Sequence, residues 1–468
     1  MIPPVTPAND IERAGQWVLS LMLAVLIGLT FLLAWSAPPI TVFALPLGIL
    51  AVIGMIVVLL RPVAGASATL LFAILLMGYG EGLSIGSILF AGYTTLFLAY
   101  WYATRLLQGE TLIRSWTDVL ILVLIVGGLG GGAVLGLAAG ADVGMLIGEL
   151  RSFGMLALYF PIREVVRSQT EGARAILSCF LALGTSVALW NMYNMWQAFQ
   201  SADVLWKIID VRTAYGESAL AVSLLFSVSL VYVADTTRSK LMLALLSSVL
   251  LVGLLLTKSR GYWIATLIGM VVVFGALRRD ERSQLARTLL LIVVAVCLVA
   301  VVGFGDYLAL IAAGIGKRFL TLGSAGTTDV SLINRFYESE AAWRLIQENP
   351  ILGYGFGVPF KRFDIISKTT TNWSFLHNGY VAMWLKLGVW GVVSVLFVWG
   401  MSGIHAVRAA RARGLSLLER AFGATAAGAL VTLAIAANTS NPWALADQTL
   451  VVTVAFAVAN GLAQRAGR

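Results

Sequence analysis

The side chains with most chemical reach in this 468-residue chain gather in two places. Lys258-Ser259-Arg260 forms a tight connection between two apolar runs, and Arg212 stands just before the run that precedes them. His377, followed by Asn378, stands at the mouth of a third apolar run. Histidine, with a reference pKa of about 6.5, exchanges a proton near neutrality and so suits removal of a proton from a hydroxyl. Asn378 is placed to orient that group or a sugar hydroxyl. Guanidinium groups match phosphate oxygens bidentately, so Arg212 and Arg260, with Lys258, suit a diphosphate whose lipid tail stays in a bilayer. Any one of these cations would serve equally by snorkelling to phospholipid headgroups, and a lone histidine at such a boundary is commonly a structural hydrogen-bonding residue. The coincidence of three cations with a histidine favours the chemical reading.

Membrane helices must position these residues. With 59% hydrophobic residues, 12% charged residues and a mean hydropathy of +0.90, the composition is that of an integral membrane protein. The apolar runs are continuous and near the ~20 residues of a spanning helix, unlike the alternating ~10-residue segments of a barrel. Lipid leaves no third choice, so the expected fold is an all-α polytopic membrane protein. Apolar runs fall at 17–36, 39–60, 63–80, 83–103, 116–138, 148–162, 173–198, 217–234, 240–257, 261–277, 288–305, 378–402, 420–437 and 445–463. The first exceeds the ~7–15 residues of a signal-peptide core and is expected to be an uncleaved span. The chain divides accordingly into N-terminal spans at 1–199, central spans at 200–305, a long polar loop at 306–377 and C-terminal spans at 378–468.

Charge orients the bundle. With the amino terminus inside, nineteen of the 32 Lys and Arg residues fall in the loops on the inner side. The remaining cations, including Arg212, Lys258, Arg260 and those of the long loop, share the outer side with His377 and point to an outward-facing cationic site. The +9 formal charge is therefore explained by topology and gives no reason to expect a nucleic-acid partner. Cys179 and Cys297 both lie in apolar runs, which excludes a disulfide framework and zinc spacing.

Within the loop, Asn334 is an expected N-cap for a helix at 334–349, stopped by Pro350. Arg335 and Arg344 lie on different faces of that helix, and Glu338 and Glu340, two residues apart, do not face one site. The chain has no Asp-x-Asp pair. The expected reaction is thus independent of metal and cofactor and uses a lipid-diphosphate donor. The ILGYGFG turn lacks nucleotide-loop spacing and is expected to direct Tyr354 and Phe356 to a sugar or to the membrane surface. The glycine-dense stretch from Gly127 to Gly140 reads as close helix packing or as a hinge or re-entrant break, and residues 200–216 as a short helix on the outer membrane surface.

Three motifs in this order, LLLTKSRGYW around Arg260, AWRLI and LGYGFG between Arg335 and Gly357, and LHNGY with a following LG-x2-G up to Gly391, resemble the O-antigen ligase and O-antigen polymerase superfamily of bacterial membrane glycosyltransferases. The similarity covers roughly residues 205–400. It implies a C-type glycosyltransferase-like fold of about 12–14 transmembrane helices with one large periplasmic loop, in the bacterial inner (cytoplasmic) membrane. It also implies transfer of an undecaprenyl-diphosphate-linked glycan on the periplasmic side to a sugar acceptor, either a lipid A core or a lipid-linked repeat unit. Arg212 and Arg260 would hold the diphosphate and His377 would assist the acceptor hydroxyl; Lys258, Arg335, Arg344, Asn378 and Tyr354 are the further candidates for substrate binding. Two alternatives stand beside this reading: a lipid-linked oligosaccharide flippase or transporter, and a peptidoglycan-type polytopic glycosyltransferase. A transporter would carry ionisable groups near the bilayer midplane, where the sequence offers chiefly Lys386.

Overall fold

The structure is a computed structural model that describes residues 58, 60–73, 85–201, 213, 215–305, 309, 312–314, 316, 330–365 and 368–467. The first apolar run, nearly all of the second, the surface segment 202–210 and Arg212 lie outside the described residues. The chain divides into two compact units, residues 1–65 and 66–468.

The described chain is an all-α polytopic membrane protein. In order, its main helices are α1 (Pro62–Phe72), α2 (Ile85–Leu107), α3 (Trp116–Ala138), α4 (Val143–Ser168), α5 (Thr170–Ser201), α6 (Glu217–Val233) and α7 (Thr237–Leu256). They continue with α8 (Arg260–Ala276), α9 (Arg279–Phe304), α10 (Val330–Glu348), α11 (Gly379–Arg411), α12 (Leu417–Ala436) and α13 (Ala446–Ala466). Among the described residues, eight helices are long and apolar enough to cross a membrane, and α1, α6 and α8 are shorter apolar helices. The run at 148–162 is part of a longer helix, α4, whose Met155–Leu158 turn tightens to a 3-10 helix ahead of Pro161. The run at 63–80 gives a helix only to Phe72 among the described residues.

The long loop is not purely helical. Strands β1 (Phe360–Asp364) and β2 (Thr369–Trp373) pair antiparallel, Phe360 opposite Trp373 and Asp364 opposite Thr369. Its helix α10 begins at Val330, four residues earlier than expected. Asn334 is consequently inside the helix, not its cap; its amide donates to Asp364 Oδ2 at 3.3 Å and its carbonyl accepts from the Ile365 backbone at 3.3 Å, so it ties helix to hairpin.

The order of contacts along α12 sets the direction of its neighbours. Thr432 Oγ1 donates to Ala265 O of α8 at 3.1 Å, while a Cβ on Gly261 would lie 2.6 Å from Thr439 Oγ1 just past α12. On the other side, Tyr380 Oη of α11 donates to Ala434 O at 2.8 Å and the Gly379 N–H to Ala437 O at 2.8 Å, whereas Gly423 packs against Ala409 and Ala410. Both neighbours therefore run antiparallel to α12. The N-termini of α8 and α11 consequently flank one end of the bundle, beside the α12–α13 connection. Behind them α13 is buried along almost its whole length and forms the core of the bundle.

Candidate functional site

The N-terminus of α11 carries His377. Asn378 caps this helix, its Oδ1 accepting from the backbone N–H groups of Tyr380 and Val381 at 3.0 and 3.1 Å. Glu338, on the inward face of α10, reaches across: its Oε1 accepts from the His377 backbone N–H at 3.1 Å and its Oε2 lies 2.8 Å from His377 Nδ1. A carboxylate only accepts, so Nδ1 carries the hydrogen, and in the neutral ring Nε2 keeps the lone pair. The Glu338 side chain is 1% exposed and that of His377 35%, which separates a buried orienting group from a reachable base.

Glu338 is held in turn. Arg362 Nη1 lies 3.3 Å from Glu338 Oε2, and its Nη2 lies 3.5 Å from Asp364 Oδ2. The guanidinium carbon sits 4.6 Å from the centre of the Trp373 ring, a cation–π contact across the hairpin. Strand alternation explains the arrangement, because Phe360 and Arg362 point inward while Lys361 and Phe363 point outward. Base, carboxylate and guanidinium thus form one connected network from α11 through α10 to β1. An imidazole held this way by a carboxylate is fixed in orientation, with its far nitrogen turned away from that partner.

Arg260 begins α8, at the same end of the bundle as His377, with the connection around Thr439 between the two helix starts. Lys258 precedes it in the left-handed region at φ 50°, with a buried side chain. A non-glycine residue there is strained by roughly 1–3 kcal/mol, and such strain concentrates at functional sites. Trp263 Nε1 donates to Leu254 O at 3.0 Å and locks this α7–α8 hairpin. Arg212 is outside the described residues, but its neighbour Thr213 donates through Oγ1 to Leu256 O at 3.1 Å, two residues from Lys258.

The other candidates separate. Arg335 is half-buried and lies three residues before Glu338, on adjoining turns of one face. Arg344 pairs with Glu340 at 2.8 Å on a different face, away from His377. The Asn378 oxygen is occupied by its cap. Tyr354 Oη donates to Glu348 Oε2 at 3.2 Å, and Phe356 faces neither solvent nor lipid: it is 3% exposed and packs on Phe153, ring centres 5.2 Å apart.

The reason for that correction is a break in α11. Gly388, at φ 66° and ψ −168°, interrupts the helix, and the 350–357 turn inserts into the gap: Tyr354 N–H donates to Leu385 O at 2.9 Å, Gly355 N–H to Lys386 O at 2.8 Å and Val389 N–H to Pro350 O at 3.0 Å. Phe356 N–H then reaches Gly132 O of α3 at 2.9 Å. A Cβ on Gly136 would lie 2.1 Å from Phe356 O, and one on Gly355 2.0 Å from Gly136 N, so the two glycine-rich stretches require each other. Gly127–Gly132 is a π-helical segment within α3. Lys386, the apparent lone charge inside a span, pairs with Glu149 of α4 at 3.1 Å, and the other Glu149 oxygen accepts from the Gly357 N–H at 2.7 Å. It is part of the clamp on the turn.

Sequence reasoning missed Glu338 as the partner of His377 and missed Arg362 entirely. The available signal was the inward face of α10, where Asn334, Glu338 and Ala342 recur every four residues, and the period-2 pattern of FKRFD.

A multi-helix membrane body with a polar insert, a carboxylate-held histidine and a basic helix start at one end is the setting in which the comparisons with known proteins fall. Residues 243–396 match the family model described as O-antigen ligase. The chain is also 31% identical over 181 residues to an O-antigen ligase of Salmonella typhimurium, an alignment covering 34% of this chain and 39% of that relative. The family model thus matches about a third of the chain, within its second half, and the alignment spans well under half the length of that relative. Most of α7, all of α8, α9, α10 and the hairpin, and the first half of α11, with Arg260, Glu338, Arg362 and His377, lie inside the matched segment.

Proposed function

We propose that this protein transfers a glycan from an undecaprenyl-diphosphate carrier to an acceptor sugar hydroxyl at the periplasmic face of the bacterial inner membrane, without a metal. The observation that carries the reading is the Glu338-held imidazole at the same end of the bundle as Arg260. In the proposed step the acceptor oxygen attacks the anomeric carbon while His377 Nε2 takes its proton. The bond from that carbon to the diphosphate oxygen breaks, and the electron pair leaves with the diphosphate. Arg260 and Arg212, with Lys258, meet the growing negative charge, and Glu338 stabilises the imidazolium that forms.

The family that residues 243–396 match supports glycan transfer in O-antigen biosynthesis. Lys386 pairs with Glu149, whose other oxygen holds the Gly357 N–H, so this in-span pair has a structural role in clamping the 350–357 turn. The test is purified protein with a lipid-diphosphate repeat unit, with and without lipid A core. Lengthening without the core identifies a polymerase, single transfer to the core a ligase. His377→Ala and Arg260→Ala are each expected to abolish both; full activity in the two variants, or no transfer by the wild type under either condition, overturns the proposal.

A further inference from the structure

Helix α10 presents three faces, of which the network above uses one. Glu338, Ala342 and Ile346 turn inward; Phe336 and Trp343 form an exposed edge that leans on α11, where Trp343 meets Trp384 edge to face at 5.3 Å between ring centres. The third face, with Tyr337, Glu340, Ala341 and Arg344, looks across at the outward side chains of β1, Lys361 and Phe363. Between them lies a cleft of about 470 Å³. That volume falls within the ~300–1,000 Å³ of ordinary ligand sites.

The lining has a definite chemistry. Tyr337 and Phe363 are 46% and 47% exposed, two large rings left open to water on a charged rim. Arg344 is held at 2.8 Å by Glu340, which fixes a planar fork of donors next to a carboxylate acceptor, and Lys361 leaves the lining with one positive charge in excess. Ring faces suit the C–H faces of pyranose sugars, the fork and the carboxylate suit their hydroxyls, and the surplus cation suits an acidic substituent. A lipid chain in the same place would desolvate three charged groups. The edge fitted to lipid is that of Phe336 and Trp343, on the other side of the Glu340–Arg344 pair.

We propose that this cleft binds an oligosaccharide with an acidic group, holding a distal part of a glycan whose terminal sugar is worked on at His377. Tyr337 and Glu338 are consecutive, so the two sites lie on different faces of one helix, and a ligand that reaches both must pass around it. The part played by His377 rests on the function proposed above; the binding does not.

The experiment is calorimetric titration of the full-length protein, in nanodiscs of zwitterionic lipid, with a lipid-free linear tetrasaccharide that contains one uronic acid. Saturable binding is expected, weakened tenfold or more by Tyr337→Ala with Phe363→Ala and by Arg344→Ala with Lys361→Ala, and unchanged by His377→Ala. Thermal unfolding checks that the variants remain folded. Absence of saturable binding, binding indifferent to the cleft variants, or equal displacement by inorganic phosphate or anionic-lipid nanodiscs would overturn the proposal. Intact binding by a protein that transfers no glycan leaves the cleft standing and sinks the enzymatic reading instead.

Discussion

Replacing Glu338 by Gln tests the reasoning at its tightest point. The carboxylate makes two contacts to one residue, Oε1 with the His377 backbone at 3.1 Å and Oε2 with the ring at 2.8 Å. An amide keeps the size and one acceptor oxygen but loses the charge. If its NH2 faces the ring, Nδ1 becomes the acceptor and the hydrogen moves to Nε2, which removes the lone pair required of a base. A positioned general base contributes about 10²–10⁴ in rate. At about 1.4 kcal/mol per tenfold, the variant stands to lose about 3–5 kcal/mol of transition-state stabilisation. Both this variant and alanine remove the carboxylate 3.3 Å from Arg362, whose side chain is 9% exposed and keeps Asp364 at 3.5 Å; alanine is the poorer probe because it also empties the buried space of the side chain. Breaking a buried pair costs about 3–5 kcal/mol, a large share of the ~5–15 kcal/mol that holds a domain folded. The assay is kcat and KM for a lipid-diphosphate repeat unit in nanodiscs, with thermal unfolding alongside. The expected result is a fall in kcat of at least a hundredfold with the donor KM little changed. A folded Glu338→Gln protein turning over at the wild-type rate would refute the role given to this carboxylate.

Three further outcomes follow from the same geometry. Gly136→Ala places a methyl 2.1 Å from the Phe356 carbonyl, a backbone atom that cannot swing aside, and is expected to lower the unfolding temperature and the yield of folded protein in detergent. Lys386→Met leaves the Glu149 carboxylate, paired at 3.1 Å, buried without its cation; about 3–5 kcal/mol of destabilisation is expected, partly recovered by adding Glu149→Gln, as thermal unfolding of the single and double variants would reveal. Transfer is expected to proceed undiminished in excess EDTA, and activity lost to chelation and restored by a divalent cation would contradict the metal-independent mechanism.

The bundle was legible because lipid enforces it: continuous apolar runs have one solution, and most spans from α3 onward fall close to their runs. Ends and interruptions were harder. The start of α10 was misplaced because Asn334 looks like a cap, yet in the folded chain its amide is committed to Asp364 of the hairpin, a contact between residues thirty apart. The hairpin itself escaped notice since FKRFD and TTTNW are short and polar, and their pairing depends on Arg362 having Glu338 and Trp373 to meet. Glu338 and Glu340 do face different sites, as helix spacing requires; what spacing could not tell was that one of them faces the histidine. His377 and Arg260 stood out as cations and bases out of place in an apolar chain. Their supporting residues did not, because charged side chains in a polar insert are ordinary until a partner is known.

The glycines explain how the insert keeps its register with the spans. A polar segment tethered only at its two ends would leave the distance between His377 and Arg260 loosely fixed. Here the 350–357 turn occupies the gap opened by Gly388 and hydrogen-bonds to both halves of α11, while its far side abuts α3 at Gly132 and Gly136. Any side chain at Gly388 would collide with Ile351 O, which a Cβ would approach to 1.9 Å. The Glu149 contacts to Lys386 and to the Gly357 N–H add α4 to the same junction. Three spans thus grip the segment immediately after α10, and α10 presents Glu338 to His377, the residue before the α11 cap. The break in α11 therefore serves positioning: it converts a loop between two helices into an element packed among four, with the His377 imidazole at its rim.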